Sequence, residues 1–356
     1  MKERESNIEI LRILSMLLIV LVHSNYFALG LPTQSETLTS PLASFWRVLA
    51  EQICIVGVNL FIMISGWFSI KPSVKGFCSL IYQIFFWGLA ILLIGFALHV
   101  KLPIKSIVQL FWFGGWYWFI PEYIGLYVIS PVLNAFADRA SPKQFFSVLV
   151  CFFGIEIFYG WFWNLGKFSS GFSMVSFCGL YLLARFLNIH HHRLGSIKTV
   201  YYLLTYCITT LVAAVLSFVE YRNGWKQIPL AISYLSPLVI LAAASLFLCF
   251  TRIQFRNKTV NWIAISTFSV YIVHQHPVVI PYFKAILNSL WEQLNPIAYS
   301  GVVFLMALVL LLVCAVSDKI RIKSWEFLYD TLLSRIISWI DKTYNNVLEK
   351  ISIKFR

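Results

Sequence analysis

The sequence predicts an all-α polytopic membrane protein of about ten transmembrane helices, with N- and C-termini cytoplasmic and a C-terminal amphipathic helix. Three observations carry this. Of 356 residues, 59% are hydrophobic and 12% charged, against about 25% charged in a soluble domain, and mean hydropathy is +0.77. Apolar runs of near-span length recur along the chain. The cations also sort to one side once those runs are threaded through a bilayer.

In chain order, Met1 to Arg4 is basic, but the apolar run after it is too long for a signal peptide and lacks a small-residue cleavage site, so the first helix reads as an uncleaved span. Spans fall at roughly 8–30, 53–70, 77–98, 116–136, 144–163, 171–188, 199–219, 229–250, 260–281 and 297–316. The longest outer loop runs from Leu31 to Gln52. Residues 103–115 are apolar but short and Gly-terminated, and read as a re-entrant or interfacial segment. With the N-terminus inside, 19 Lys and Arg lie on the cytoplasmic side, 7 outside and 2 (Arg12 and Arg185) within spans. An even number of spans returns the basic tail to the side of the basic start. Trp325, Leu328, Leu332, Ile336, Trp339, Ile340, Val347 and Ile351 recur at helical spacing between cations, predicting an amphipathic helix on the inner leaflet, with coiled-coil pairing the alternative. The chain divides into a membrane domain, 1–323, and a cytoplasmic amphipathic tail, 324–356.

The seven cysteines all lie within apolar runs and form no CxxC pair, so they read as packing residues, with no disulfide or metal site. The net charge of +13 reads as orientation charge and attraction to anionic lipid, not as nucleic-acid binding. No GxGxxG, Walker loop, GxSxG or HExxH is present.

The first span, NIEILRILSMLLIVLVHSN, carries Glu9, Arg12 and His23. At about 100° per residue, Arg12 and His23 lie on one face, about three turns and 16 Å apart. Glu9 falls about 40° from His23, and Met16 and Ile19 fill the stripe between. A charged group at the bilayer centre costs roughly 2.5–3.5 kcal/mol on insertion scales, so this stripe is expected to face protein or water. For Glu9 and Arg12 an interfacial, snorkelling position is the alternative. For His23 it is a satisfied packing residue.

Topology assigns depth to the other polar residues. His23, Glu122, Glu156, His274 and His276 all fall toward the outer half, where they could form one cluster with the ingredients of acid–base chemistry or of a proton relay. His276, just before Pro277, has an interfacial role as its alternative. Arg12 and Arg185 form an inner level, with His190, His191, His192 and Arg193 beyond; fixed guanidinium groups there suit a phosphate-bearing ligand, and positive-inside anchoring is the alternative. Trp112, Trp116, Tyr117 and Trp118 read either as an aromatic belt or as a stacking platform for a sugar whose hydroxyls Glu122 would take.

At this point the chain resembles the integral-membrane acyltransferase-3 family, whose members O-acylate cell-surface polysaccharides, lipid-linked sugars and peptidoglycan in bacteria. The resemblance rests on Arg12 and His23 with ten residues between, after a basic start; on FIMISGWF, Phe61 to Phe68; on WYWFIPEYIGLYVISPVLN, Trp116 to Asn134; and on FSVYIVHQHP, Phe268 to Pro277. It covers residues 5 to 316. It implies an acyl-CoA donor on the cytoplasmic side, acetyl-CoA by default, an acceptor hydroxyl on a glycan or lipid-linked sugar reached from outside, and a multi-pass place in the bacterial cytoplasmic membrane. It implies that His23 is the catalytic histidine and Arg12 a donor-site or structural partner. The chain departs from the family after the second span: many members carry two arginines three apart where this chain has only Lys71 and Lys75. That either removes donor-phosphate contacts there or assigns them to these lysines and Arg185. Ser65, in the matching Ser-Gly, reads first as close helix packing.

The expectation is thus an O-acyltransferase, with His23 as general base or transient acyl carrier, Glu122 or Glu156 orienting it, and Trp116, Trp118, His274 and His276 on the acceptor side. No bound cofactor is expected; membrane lipids are the remaining partner. The runner-up is a transporter or flippase of a lipid-linked saccharide whose buried charges line a path. A glycan polymerase would need larger outer loops.

Overall fold

The computed structural model describes residues 5–102, 104–111, 117–163, 170–190, 197–225, 233–340 and 342–343. Among them the regular structure is helical: α1 (Ser6–Ser24), α2 (Tyr26–Leu29), α3 (Gln34–Thr39), α4 (Pro41–Cys54), α5 (Val56–Phe68), α6 (Val74–Ala97), α7 (Ile104–Phe111), α8 (Phe119–Arg139), α9 (Pro142–Ile155, prolonged by a π-helical turn Glu156–Phe162), α10 (Met174–Ile189), α11 (Thr199–Asn223), α12 (Pro237–Thr251), α13 (Lys258–Ala264), α14 (Thr267–His274), α15 (Ile280–Gln293) and α16 (Pro296–Leu328). Among the described residues, seven helical runs are long and apolar enough to cross a membrane, and Met174–Ile189 and Pro237–Thr251 are shorter apolar helices. The chain is a multi-pass membrane protein.

Helix starts follow local chemistry. Ser73, Ser141, Ser173 and Asn257 accept backbone N–H groups at the N-termini of α6, α9, α10 and α13, which satisfies donors the helix cannot. Proline occupies the first helical position of α4, α9, α12 and α16, where its missing N–H costs nothing.

At the centre stands α1, packed against α4, α5, α12, α13, α14 and α16. Its neighbour α5 is buried from Val56 to Ile64, whereas α6 shows Leu93 and Phe96 outward, as a lipid-facing helix should. Close approach of α1 and α5 depends on Gly57, where a Cβ would lie 2.9 Å from the Ser15 carbonyl oxygen. Gly66 does the same for α5 and α10: a Cβ there would strike the Tyr181 carbonyl oxygen and lie 3.0 Å from the Ala184 Cβ. The Ser65–Gly66 pair is a packing element, as small residues at membrane helix interfaces generally are.

Three expectations change. The presumed outer loop 31–52 is mostly helical, because Pro41 starts a helix that continues through one irregular residue, Ile55, into α5, and Val48 and Glu51 are fully buried. The ninth span is broken between α13 and α14; Lys319 donates to the freed Trp262 carbonyl (2.7 Å) and to Ser266 Oγ (3.0 Å), replacing the lost helical partners. The tail does not begin as a separate helix: no Gly or Pro follows Ser317, and the helical run continues from Pro296 to Ile340. At about 1.5 Å per residue α16 alone reaches about 50 Å, past a roughly 30 Å hydrocarbon core. Trp325 stays buried against Tyr82, whose hydroxyl donates to Ser324 Oγ (2.8 Å). Val347 and Ile351 lie outside the described residues. Within 103–115, α7 is a short helix whose Leu110 reaches Gly88 of α6.

Replacing Gly57 or Gly66 by Ala is expected to destabilise the bundle by about 1–3 kcal/mol through overpacking. A lower midpoint of thermal unfolding in detergent, with wild-type helix content before the transition, is the check.

Candidate active site

His23 sits in the last turn of α1. The helix ends at Ser24, and the ending is held from three sides. Tyr299 Oη of α16 donates to the Ser24 carbonyl. Asn25 Nδ2 donates to the Arg47 carbonyl (2.8 Å) and to Glu51 Oε2 (2.9 Å), and the same carboxylate oxygen accepts the Tyr26 N–H (3.4 Å). A fully buried carboxylate on α4 therefore clamps the residue two beyond His23.

His274 is the last residue of α14 and stops there for a local reason. Pro277, three residues on, has no N–H to continue the ladder, and the turn closes with His276 N–H to the Val273 carbonyl (3.3 Å). The ends of α1 and α14 bring the two imidazoles together. His23 Nδ1 lies 2.8 Å from His274 Nε2, and His274 Nδ1 lies 2.6 Å from the Val270 carbonyl oxygen. The ring centroids are 5.1 Å apart. Tyr271 and Phe283 flank His274, and Phe27 presents to His23 with the Lys284 ammonium 4.0 Å over its ring.

A cleft opens from His23 between Met16, Ile19, Val58, Phe61, Trp118, Phe119, Phe268 and Tyr271. Trp118 is set by Phe172, Phe177 and Tyr234. Tyr117 Oη donates to the Ile272 carbonyl (3.0 Å), tying this segment to α14. The free volume is about 10 Å³, about the minimum for one water. The stripe Met16–Ile19–His23 faces this cleft, as the helical spacing requires.

Toward the other end of α1, Arg12 Nε lies 3.2 Å from Glu9 Oε2, and Glu9 is 3% exposed. The pair keeps a buried carboxylate compensated. Beside the first turn, Glu5, Asn7, Thr251, Gln254 and Arg256 border an open cavity of about 460 Å³.

The other expected site residues divide. His274, expected on the acceptor side, is instead the direct partner of His23. Glu122 is not at the histidines: its carboxylate accepts the Met174 N–H at the start of α10, where a helix N-terminus attracts negative charge. Glu156 is buried against Ser176 and Cys178 of α10, and its Oε1 has no hydrogen-bond partner among the described residues. Neither carboxylate orients His23 through a hydrogen bond or ion pair among the described residues; each is held by α10, on which depth alone gives no information. His276 Nδ1 accepts the Val278 N–H (3.3 Å). Arg185 pairs with Asp138 at 2.8 Å. Lys75 lies 3.7 Å over the Tyr329 ring, and Lys71 is exposed. Trp116, with Trp112, His191, His192 and Arg193, lies outside the described residues. Sequence reasoning missed Glu51 because it was placed in an outer loop; its signal was an acid at helical spacing from Arg47 and Val48 in a run started by Pro41. It also missed buried Asp318, which takes both Arg321 and Trp87 Nε1 (2.9 Å).

The model of a protein family described as an acyltransferase domain, the acyltransferase-3 family, matches residues 5–316. The searches of curated proteins and of solved structures returned no match.

Glu122→Ala is expected to cost about 1 kcal/mol by stripping the start of α10 of its acceptor. A fall in melting temperature that Glu122→Gln partly restores is the expected result.

Proposed function

We propose that this chain, which belongs to the acyltransferase-3 family and is an acyltransferase, moves an acyl group from acyl-CoA to a hydroxyl of a cell-surface glycan or lipid-linked sugar. The acyl group is acetyl and the setting is the bacterial cytoplasmic membrane. The observation that carries the reading is the His23 imidazole, held at the end of a membrane-crossing helix by His274 on one side and open on the other to an aromatic cleft.

An alcohol is a poor nucleophile at neutral pH and needs a base at its proton. In the proposed reaction His23 takes the hydroxyl proton as the oxygen attacks the thioester carbonyl carbon. The C–O bond forms, the C–S bond breaks, and the departing thiolate takes that proton from the imidazolium. In the covalent variant the His23 ring nitrogen attacks the thioester carbon, the C–S bond breaks and the thiolate takes the imidazole N–H proton to leave as the thiol; the acceptor hydroxyl then attacks the acyl carbon, the C–N bond breaks and the hydroxyl proton returns to the imidazole.

The donor is assigned to the cytoplasmic end of α1. Arg12, Lys71, Lys75 and Arg185 are the candidate phosphate contacts, and the 460 Å³ cavity bordered by Arg256 offers room for a polar head at the same end of α1. Trp116, Trp118 and His276 are assigned to the acceptor, with Trp118 the one that lines the cleft at His23. The transporter reading needs no imidazole pair and is not favoured by the family.

Removal of His23 tests the reading. In cells, His23→Ala is expected to abolish the added acetyl mass on surface glycans while the protein stays in the membrane at wild-type level. Unchanged glycan acetylation in that variant would remove His23 from the chemistry.

A further inference from the structure

We infer that His274 is a positioning residue that holds His23 in one tautomer, with the proton on Nδ1 and the lone pair on Nε2. The inference rests on the proposed role of His23 only for its catalytic consequence; the proton assignment follows from the contacts themselves.

The order of protons is dictated from the backbone outward. A carbonyl oxygen accepts and cannot donate, so the 2.6 Å contact from the Val270 carbonyl requires a hydrogen on His274 Nδ1. A neutral imidazole carries one N–H, which leaves His274 Nε2 as an acceptor. That nitrogen is 2.8 Å from His23 Nδ1, so His23 Nδ1 donates to it. The remaining nitrogen of the pair, His23 Nε2, then bears the free lone pair. One main-chain carbonyl, buried in α14, thus sets the protonation pattern of two rings.

The arrangement does what a carboxylate does for a catalytic histidine elsewhere, with a neutral group. It selects the tautomer and fixes the ring plane without placing a second ion in the apolar interior. When His23 Nε2 accepts the substrate proton, the resulting imidazolium keeps its Nδ1–H on His274 Nε2, and no hydrogen bond has to be broken or remade. The charged groups near the pair lie beyond other side chains: Lys284 over Phe27, and Glu51 beyond Asn25. Glu122 and Glu156 are held by α10. The Tyr271 ring flanks His274 edge-on.

Two amide substitutions separate orientation from packing. In His274→Asn the amide nitrogen falls where Nδ1 was, keeps a donor for Val270 and leaves His23 without an acceptor. In His274→Gln the amide oxygen reaches the place of Nε2 and restores that acceptor. The readouts are acyl transfer and the rate at which diethyl pyrocarbonate, a small electrophile, carbethoxylates His23, mapped by mass spectrometry of the full-length protein in detergent. The His23→Ala variant identifies the labelled peptide. The expected result is a fall of about 100-fold or more in transfer for His274→Asn. The same variant should label His23 at least about tenfold more slowly, with His274→Gln within about tenfold of wild type in both assays. If His274→Asn does not fold, His274→Phe, which keeps the ring volume and lacks the acceptor, takes its place. Labelling of His23 at wild-type rate in a folded His274→Asn or His274→Phe protein would overturn the inference, whatever the transfer assay shows. Wild-type protein that labels as expected but transfers no acyl group from any acyl-CoA would sink the proposed function and leave the tautomer assignment standing.

Discussion

A polar side chain inside a bilayer must find its partner within the protein, and this requirement organises the bundle. The first helix carries Glu9, Arg12, His23 and, just past its end, Asn25. Glu9 pairs with Arg12 along the same face, His23 with His274 of α14, and Asn25 with Glu51 of α4, while Tyr299 of α16 holds the last carbonyl. Each cross-helix contact specifies a neighbour and a register at once, since an unmatched group in a low-dielectric interior is costly. Apolar packing against α5 and α12 supplies adhesion; the polar contacts decide which helix ends meet.

The same logic governs the far part of α16. Asp318 is buried in α16 and is matched by the Arg321 guanidinium and the Trp87 indole, and Lys319 covers the carbonyl exposed where α13 and α14 part. Lys319, one of the cations that counted toward orientation, therefore also ties the last helix to its neighbours, while Arg321 neutralises Asp318 within α16. The Asp318–Trp87 and Lys319–Trp262 contacts tie this stretch of α16 to α6 and α13.

The two imidazoles meet where two helices end at the same place. A histidine in mid-helix projects sideways into its neighbours, whereas His23 and His274 each close a helix, and the rings approach with their nitrogens aligned. The cleft beyond them is walled by rings, so water is scarce and hydrogen bonds to a reacting oxygen would act at low dielectric. A neutral partner for the His23 ring suits this setting, because a carboxylate there would carry a large desolvation cost. The two acids at comparable depth, Glu122 and Glu156, serve α10 instead.

Much of the architecture was legible in the chain. Apolar runs located the helices, and the eleven-step spacing from Arg12 to His23 placed Met16, Ile19 and His23 on one face, because helical periodicity is a local property. The family motifs told that the chain is an acyltransferase. Depth along each span could also be counted, which put His23 and His274 at one expected level, and these two do meet. Azimuth could not, because the angle at which one helix faces another is set by packing among many helices. Only the tertiary structure chose His274 over the two glutamates, drew Glu51 into the interior and carried α16 straight through the boundary where a separate tail was expected. Sequence supplied the rise and face of each helix; the assembled bundle decided which faces touch.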